Sequence, residues 1–155
     1  MENQGKNHEL IKVQTPQDWE SYHRIRREEL FEARGRVGVY NLDHPDERLP
    51  ENFPFLLKWN GESIGTVRLD VKDNKSAVIR LVAITKNEQG KGHGRELANL
   101  VEDFARKQGI KNLLVNAAPT AVGYYEKQGF IKDKWDETEL TGISKDSVQM
   151  SKKLI

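Results

Sequence analysis

Residues 89 to 95 read QGKGHGR, with Gly90, Gly92 and Gly94 alternating, and the chain continues as ELANLVEDFARKQG. Glycine in the first turn of a helix weakens it, so these residues need another reason to be there. A strand that runs into a glycine turn and then a helix presents main-chain N–H groups at the positive end of the helix dipole. That arrangement binds anions. Without a Cβ, the main chain can also approach a phosphate closely. Lys91 and Arg95 add positive charge, and Gln89 adds an amide donor. The chemistry favours a phosphate or pyrophosphate ligand, with a ligand-free glycine turn as the alternative. The loop lacks the Gly-Lys-Ser/Thr ending of a P-loop, and its G-x-G-x-G spacing is not G-x-G-x-x-G. It also follows the third strand of an antiparallel run rather than the first strand of a βαβ unit, which disfavours a dinucleotide fold.

The elements around this loop follow from pattern. HELIKVQT (8–15) reads as a first strand. The segment from Pro16 to Arg34 reads as a helix, with Thr15 as N-cap, Pro16 in the first turn and Asp18 completing a capping box. Residues 35–53 form a long polar loop of the length that often carries function. FPFLLKW, SIGTVRLDV and SAVIRLVAIT read as three adjacent antiparallel strands, with Asn60-Gly61 as a hairpin turn. In the helix after the glycines, Leu97, Leu100, Val101 and Phe104 share one face, and Gly109 ends it. IKNLLVNA is a strand, PTAVGYYEKQG a short helix, and FIKDKW and SVQMSKKL are final strands joined by a polar loop. The order is βα(loop)βββαβαββ.

The chain has 155 residues and a net charge of +1, with no cysteine. That length predicts one domain over residues 8–155 after a flexible tail at 1–7. The charge balance offers no electrostatic case for nucleic acid or an anionic membrane. No apolar run approaches the ~20 residues of a membrane span. Absence of cysteine removes disulfides, thiolate nucleophiles and Cys-ligated zinc. A cytoplasmic location is the default expectation, and a homodimer is compatible with the sequence.

QGKGHG, following RLVAIT and opening an amphipathic helix, resembles the Q/R-x-x-G-x-G/A signature of the GNAT superfamily of N-acetyltransferases. Gln89, Gly92 and Gly94 occupy the matching positions. AVGYYEKQGF (121–130) is similar to the family's A-x-x-x-Y-E-K-x-G-F segment, and the element order fits over nearly the whole chain. The resemblance implies an α/β (α+β) fold with a mixed, mostly antiparallel central sheet of about seven strands flanked by helices. It implies acetyl-CoA as co-substrate, with the pyrophosphate held by Gln89, Gly90, Lys91, Gly92, His93, Gly94 and Arg95. The pantetheine arm would lie along Val82, Ala83 and Ile84, in a gap between strands that follow the third and fourth helical regions. Asn116 would hydrogen-bond the arm or serve only its own strand end.

The implied chemistry is attack of a neutral amine on the thioester, which requires loss of an amine proton, an oxyanion donor and protonation of the leaving thiolate. Tyr125 matches the family's acid near the sulfur, and the amide of Val82 or Ala83 matches the oxyanion donor. Several relatives carry a glutamate on the strand before the glycine loop, whereas this chain has Val78, Ile79, Arg80 and Leu81. Ala118 stands where many relatives have asparagine. The base is therefore left to a water relay or to a loop residue such as Asp43, His44, Asp46 or Glu47. The same four residues are the expected acceptor site. Their acidity would suit a cationic amine, and a solvated acidic loop is the bland alternative. His44 has no second histidine at ligand spacing, so no metal is expected. The expected function is acetyl transfer to a small-molecule amine. A protein N-terminus or lysine as acceptor, and a CoA-binding sensor without turnover, are the competing readings.

Overall fold

The computed structural model describes residues 7–154. Of the expected flexible tail only Asn7 lies among them. It is tied down, because its N–H donates to Asn60 Oδ1 and its carbonyl accepts from Asn60 N–H, each at 3.0 Å.

Seven strands form one sheet in the order β1-β2-β3-β4-β5-β7-β6. Strands β1 (His8–Lys12), β2 (Asn52–Trp59), β3 (Glu62–Val71) and β4 (Ser76–Ile84) pair antiparallel in sequence order. The β2–β3 turn has Asn60 at φ 51° and Gly61 at φ 88°, the two left-handed residues that a type I′ hairpin requires. β5 (Asn112–Ala117) pairs parallel with β4, and β7 (Val148–Lys153) inserts antiparallel between β5 and β6 (Ile131–Lys132). β6 is shorter than FIKDKW predicts. Past Lys132 the chain turns, and Trp135 donates its indole N–H to Val115 O at 3.2 Å.

α1 (Pro16–Arg26) starts at Thr15 with both hydrogen bonds of the capping box in place. The helix expected to run to Arg34 instead widens into a π-turn at Arg27–Phe31 and tightens into a 3-10 turn at Glu32–Arg34. α2 spans His93–Lys107 and α3 spans Val122–Lys127. All three helical segments end on the same motif: a left-handed glycine bonds back three residues and its successor bonds back five. These pairs are Gly35→Glu32 with Arg36→Phe31, Gly109→Arg106 with Ile110→Ala105, and Gly129→Glu126 with Phe130→Tyr125.

The sheet is covered on both faces. Alternation sends Phe55 and Leu57 towards Leu97, Val101, Tyr125 and Phe130, and sends Leu56 towards Tyr22 and Ile25 of α1. Between α1 and the sheet lies a buried carboxylate, Glu47, only 4% exposed. It pairs with Arg26 and with Arg68 at 3.3 Å, and accepts the Tyr22 hydroxyl at 3.2 Å.

Burial pushes the Glu47 carboxyl up, but Arg26 and Arg68 outweigh it and hold the group below its ordinary range. Its stabilising effect is complete above the unfolded-state value of ~4.3 and is lost as pH falls through the lower folded value. Glu47→Gln leaves two buried guanidinium groups facing a neutral amide and should cost about 3 kcal/mol. In denaturant melts the parent should lose stability more steeply than the variant as pH drops below ~4.3. Equal slopes would show that Glu47 titrates alike in both states.

Candidate active site

The site begins where two strands separate. β4 and β5 pair from Ser76↔Asn112 to Ile79↔Val115 and no further, although β4 continues to Ile84 and β5 to Ala117. On β4 a bulge sets Leu81 and Val82 opposite the single residue Val67, between the Arg68↔Arg80 and Thr66↔Ala83 pairs. Leu81 takes a left-handed φ of 56°, which costs a leucine about 1–2 kcal/mol. Thr66 Oγ1 donates to Leu81 O at 3.3 Å and holds the distortion. A bulge bends its own strand and sharpens the twist, so β4 turns away from β5 here. The gap is thus between the strand before the glycine loop and the one after α2. It is not between the strands after the third and fourth helical regions, where β7 intervenes.

The residues just past the last shared rung are both bound by one carboxylate. Glu139 accepts two bonds from Arg80, at 3.0 and 3.1 Å, and one from Asn116 Nδ2 at 3.0 Å. Arg80 also bonds Asp70, which in turn pairs with Arg68 at 2.7 Å. Gln149 donates to Asn116 Oδ1 at 2.9 Å. Asn116 therefore borders the gap with its amide engaged by protein at both ends, the strand-end role allowed for it in the sequence.

A cavity of about 310 Å³ opens in the gap. Arg80, Leu81 and Val82 form one wall, and Val115 to Ala118 with Tyr125 form another. Leu30 and Phe31 of the π-turn, with Arg34 and Arg36, close the third side, and Ile143, Ser144 and Ser147 close the fourth. A π-turn re-aims side chains that a regular helix would place elsewhere. Val82 lines the cavity, whereas Ala83 and Ile84 stay in the ladder to Thr66 and Gly65. Tyr125 is 7% exposed. Burial pushes its hydroxyl far up, reinforced by Tyr124, so at neutral pH it keeps its proton.

At the far end of β4 the glycine loop divides into two kinds of position. Gly90 (φ 75°) and Gly92 (φ 89°) are left-handed, and a Cβ built on either would meet nothing within 4 Å. Gly92 is the N-cap of α2, and no side chain caps that helix. The first N–H groups of α2 therefore have no partner in their own helix and face an open cradle that Cβ atoms would fill. Gly94 serves packing instead. A Cβ there would lie 3.3 Å from the Tyr124 ring, and Tyr124 donates its hydroxyl to Gly94 O at 2.7 Å.

The side chains expected around this loop separate into two groups. Lys91 and Arg95 are exposed beside it, Lys91 lying 3.6 Å from Glu88. Gln89 is exposed but donates to Ile84 O at 2.9 Å and to Glu29 Oε1 at 3.3 Å, and Glu29 also accepts the Lys86 N–H at 3.1 Å. Glu29 thus clamps the loop to the π-turn, a role no local sequence signal carries. His93 is buried, with Nδ1 2.8 Å from His8 Nε2 and Nε2 3.0 Å from Glu88. Only its main chain remains for a ligand.

The acidic loop lies outside this cavity. None of Asp43, His44, Asp46 and Glu47 lines the cavity. Glu47 is saturated by Arg26, Arg68 and Tyr22, and its burial gives it a structural role. His44 accepts the Asp46 N–H at 3.2 Å as cap of the 3-10 turn Pro45–Arg48, and Asp46 stands 4.0 Å from Arg68. Asp43 is exposed, with its N–H bonded to Asn41 at 3.0 Å. Among the described residues no three His, Asp or Glu side chains converge as a metal site, and no helix is long and apolar enough to cross a membrane.

The chain matches a known family in sequence and known structures in fold. The acetyltransferase (GNAT) domain matches residues 34–154. An acetyltransferase from Streptococcus agalactiae has the same fold, with a TM-score of 0.75 at 17% identity, covering 95% of this chain and 98% of its own. The ribosomal-protein-S18-alanine N-acetyltransferase from Escherichia coli aligns with a TM-score of 0.72 at 16% identity, covering 95% and 94%. N-acetylglutamate synthase from Neisseria gonorrhoeae, crystallised with coenzyme A and N-acetyl-glutamate, aligns with a TM-score of 0.73 at 18% identity, covering 96% of this chain and 35% of its own. With the family match spanning most of its length, this chain belongs to the GNAT acetyltransferases, transferases that move an acyl group from coenzyme A.

Proposed function

We propose that the protein acetylates the primary amine of a small molecule in the cytoplasm, with acetyl-CoA as donor. The observation that carries this reading is the cavity of about 310 Å³ at the β4–β5 split. It sits at the low end of the range for small-molecule sites, roughly 300–1,000 Å³. Acetyl-CoA fits the residues present. The open cradle at Gly90 and Gly92 suits a pyrophosphate, and Lys91 and Arg95 stand beside it with positive charge. The unpaired edges beyond Ile79 and Val115 suit the amide-bearing pantetheine arm, which would hydrogen-bond there like an added strand.

When bound, acetyl-CoA supplies an activated acyl carbon. The chain then has three tasks. The cavity must hold the amine nitrogen against that carbon in line for N–C bond formation as the C–S bond breaks. A main-chain donor at Val82 would stabilise charge developing on the carbonyl oxygen. Tyr125, held protonated by burial, can give a proton or hydrogen bond to the departing sulfur, while water takes the proton that the amine releases.

The decisive assay is release of free thiol from acetyl-CoA across a panel of amines. Thiol release with a matching acetylated amine by mass spectrometry is expected for at least one small amine. Release only with peptides would move the acceptor to protein. Tyr125→Phe should keep the fold and acetyl-CoA affinity while turnover falls ~10²-fold, the low end for acid–base catalysis. Turnover within twofold of the parent would make Tyr125 a packing residue.

Gly92→Ala tests the donor site separately. The left-handed φ makes the substitution cost about 1–2 kcal/mol of stability, so the melting temperature should drop a few degrees with the far-UV spectrum intact. Acetyl-CoA affinity by calorimetry should fall at least tenfold, since the new methyl points into the cradle. Unchanged affinity would remove the pyrophosphate from this loop.

A further inference from the structure

Every charged residue in the cavity wall is an arginine: Arg34, Arg36 and Arg80. Arg80 is neutralised by Asp70 and Glu139. The other two are not. The glutamates nearest them in sequence are engaged elsewhere: Glu28 with Arg24 at 3.7 Å, Glu29 with the glycine loop, and Glu32 with Arg27 at 3.3 Å. Among the described residues neither Arg34 nor Arg36 has a carboxylate partner. Arg36 goes further, because its Nη1 is buried and makes no hydrogen bond. A guanidinium nitrogen withdrawn from water without an acceptor is costly, and protein structures rarely leave one that way.

The placement of Arg36 is specified by the fold. It is the residue after Gly35 in the helix-ending motif, its N–H fixed on Phe31 O at 2.8 Å. In the other two copies of that motif the equivalent residue is apolar and buried, Ile110 at 4% and Phe130 at 3% exposure. Such positions ordinarily carry a hydrophobic contact. Here the contact is exchanged for a cation whose backbone is fixed beside the cavity.

We propose that Arg36, assisted by Arg34, is the specificity determinant of the acceptor subsite, and that the acceptor is a compact primary amine carrying a carboxylate or phosphate at its other end. The inference rests on the transferase reading above. A guanidinium fork matches either anion in bidentate geometry. Holding the anion at the helix end would leave the amine to reach the wall formed by Val82 and Tyr125 across the same cavity. The cationic acceptor implied by the acidic loop is replaced by one of opposite charge.

The test uses the full chain with matched acceptors: 4-aminobutyrate, its carboxamide, 2-aminoethyl phosphate and 1,4-diaminobutane. The parent should acetylate an anionic member with kcat/KM at least tenfold above the carboxamide and the diamine, and the better anion identifies the source. Arg36→Leu restores the usual apolar residue of the motif, so the melting temperature should hold. It should raise the anionic acceptor's KM at least tenfold and leave the acetyl-CoA KM within twofold. Arg36→Lys should recover part of the loss. In parallel, each anionic amine is titrated calorimetrically against protein saturated with CoA. Thiol release without preference for an anion, or a preference that survives Arg36→Leu, overturns the subsite and leaves the transferase standing. Anion binding that Arg36→Leu abolishes, without thiol release from any amine, supports the subsite and overturns the transferase. Silence in both assays overturns both.

Discussion

The separation of β4 from β5 is the constraint on which the rest of the structure depends. Two parallel strands that kept pairing past Ile79 and Val115 would close the cavity. Opening them leaves polar main-chain groups without a ladder, and buried groups of that kind must find other partners. The fold supplies two carbonyl partners and one side-chain bridge and leaves the rest of both edges open. Thr66 bonds the bulged Leu81 carbonyl, and the Trp135 indole takes the Val115 carbonyl. Glu139 bridges Arg80 and Asn116 at the apex. The gap is therefore a constructed feature, held by contacts from β3 and from the loop before β7.

The charged network that reaches this apex is long. It passes from Tyr22 and Arg26 through Glu47, Arg68, Asp70 and Arg80 to Glu139, Asn116 and Gln149. Buried ion pairs contribute little net stability over well-packed apolar groups. Their directionality is a different matter, since each guanidinium fork fixes the carboxylate it meets. This chain ties α1 on one face of the sheet to the loop before β7, so the two sides of the cavity hold a common geometry. The strained φ of Leu81 is tolerable in such a setting because its surroundings over-determine it.

Much of this architecture was legible in the sequence. Thr15 and Asp18, Asn60-Gly61, and the glycines at 35, 109 and 129 act locally, through backbone conformations that few other residues adopt. The GNAT motifs located the glycine loop and Tyr125. What escaped depends on contacts between distant segments. REELF contains no helix breaker, so its π-turn is invisible without the sheet beneath it. Glu29 looks like an ordinary helix-surface residue until the chain folds. His93 sits inside the motif, yet its ring is claimed by His8, eighty-five residues away.

The distribution of charge likewise depends on the folded chain. Asp43, Asp46 and Glu47 form an acidic run in the sequence, and the run dissolves in three dimensions. One member caps nothing and is exposed, one stands by Arg68, and one is buried among cations. Arg34 closes the first helical segment and Arg36 follows its terminal glycine, where neither draws notice. Their neighbours' carboxylates are then drawn off to Arg24, Arg27 and the glycine loop. What remains at the cavity is a positive charge that no count along the chain contains. The electrostatics of a small site are set by which ion pairs form outside it, since each pair formed elsewhere removes a counter-charge that the site would otherwise have.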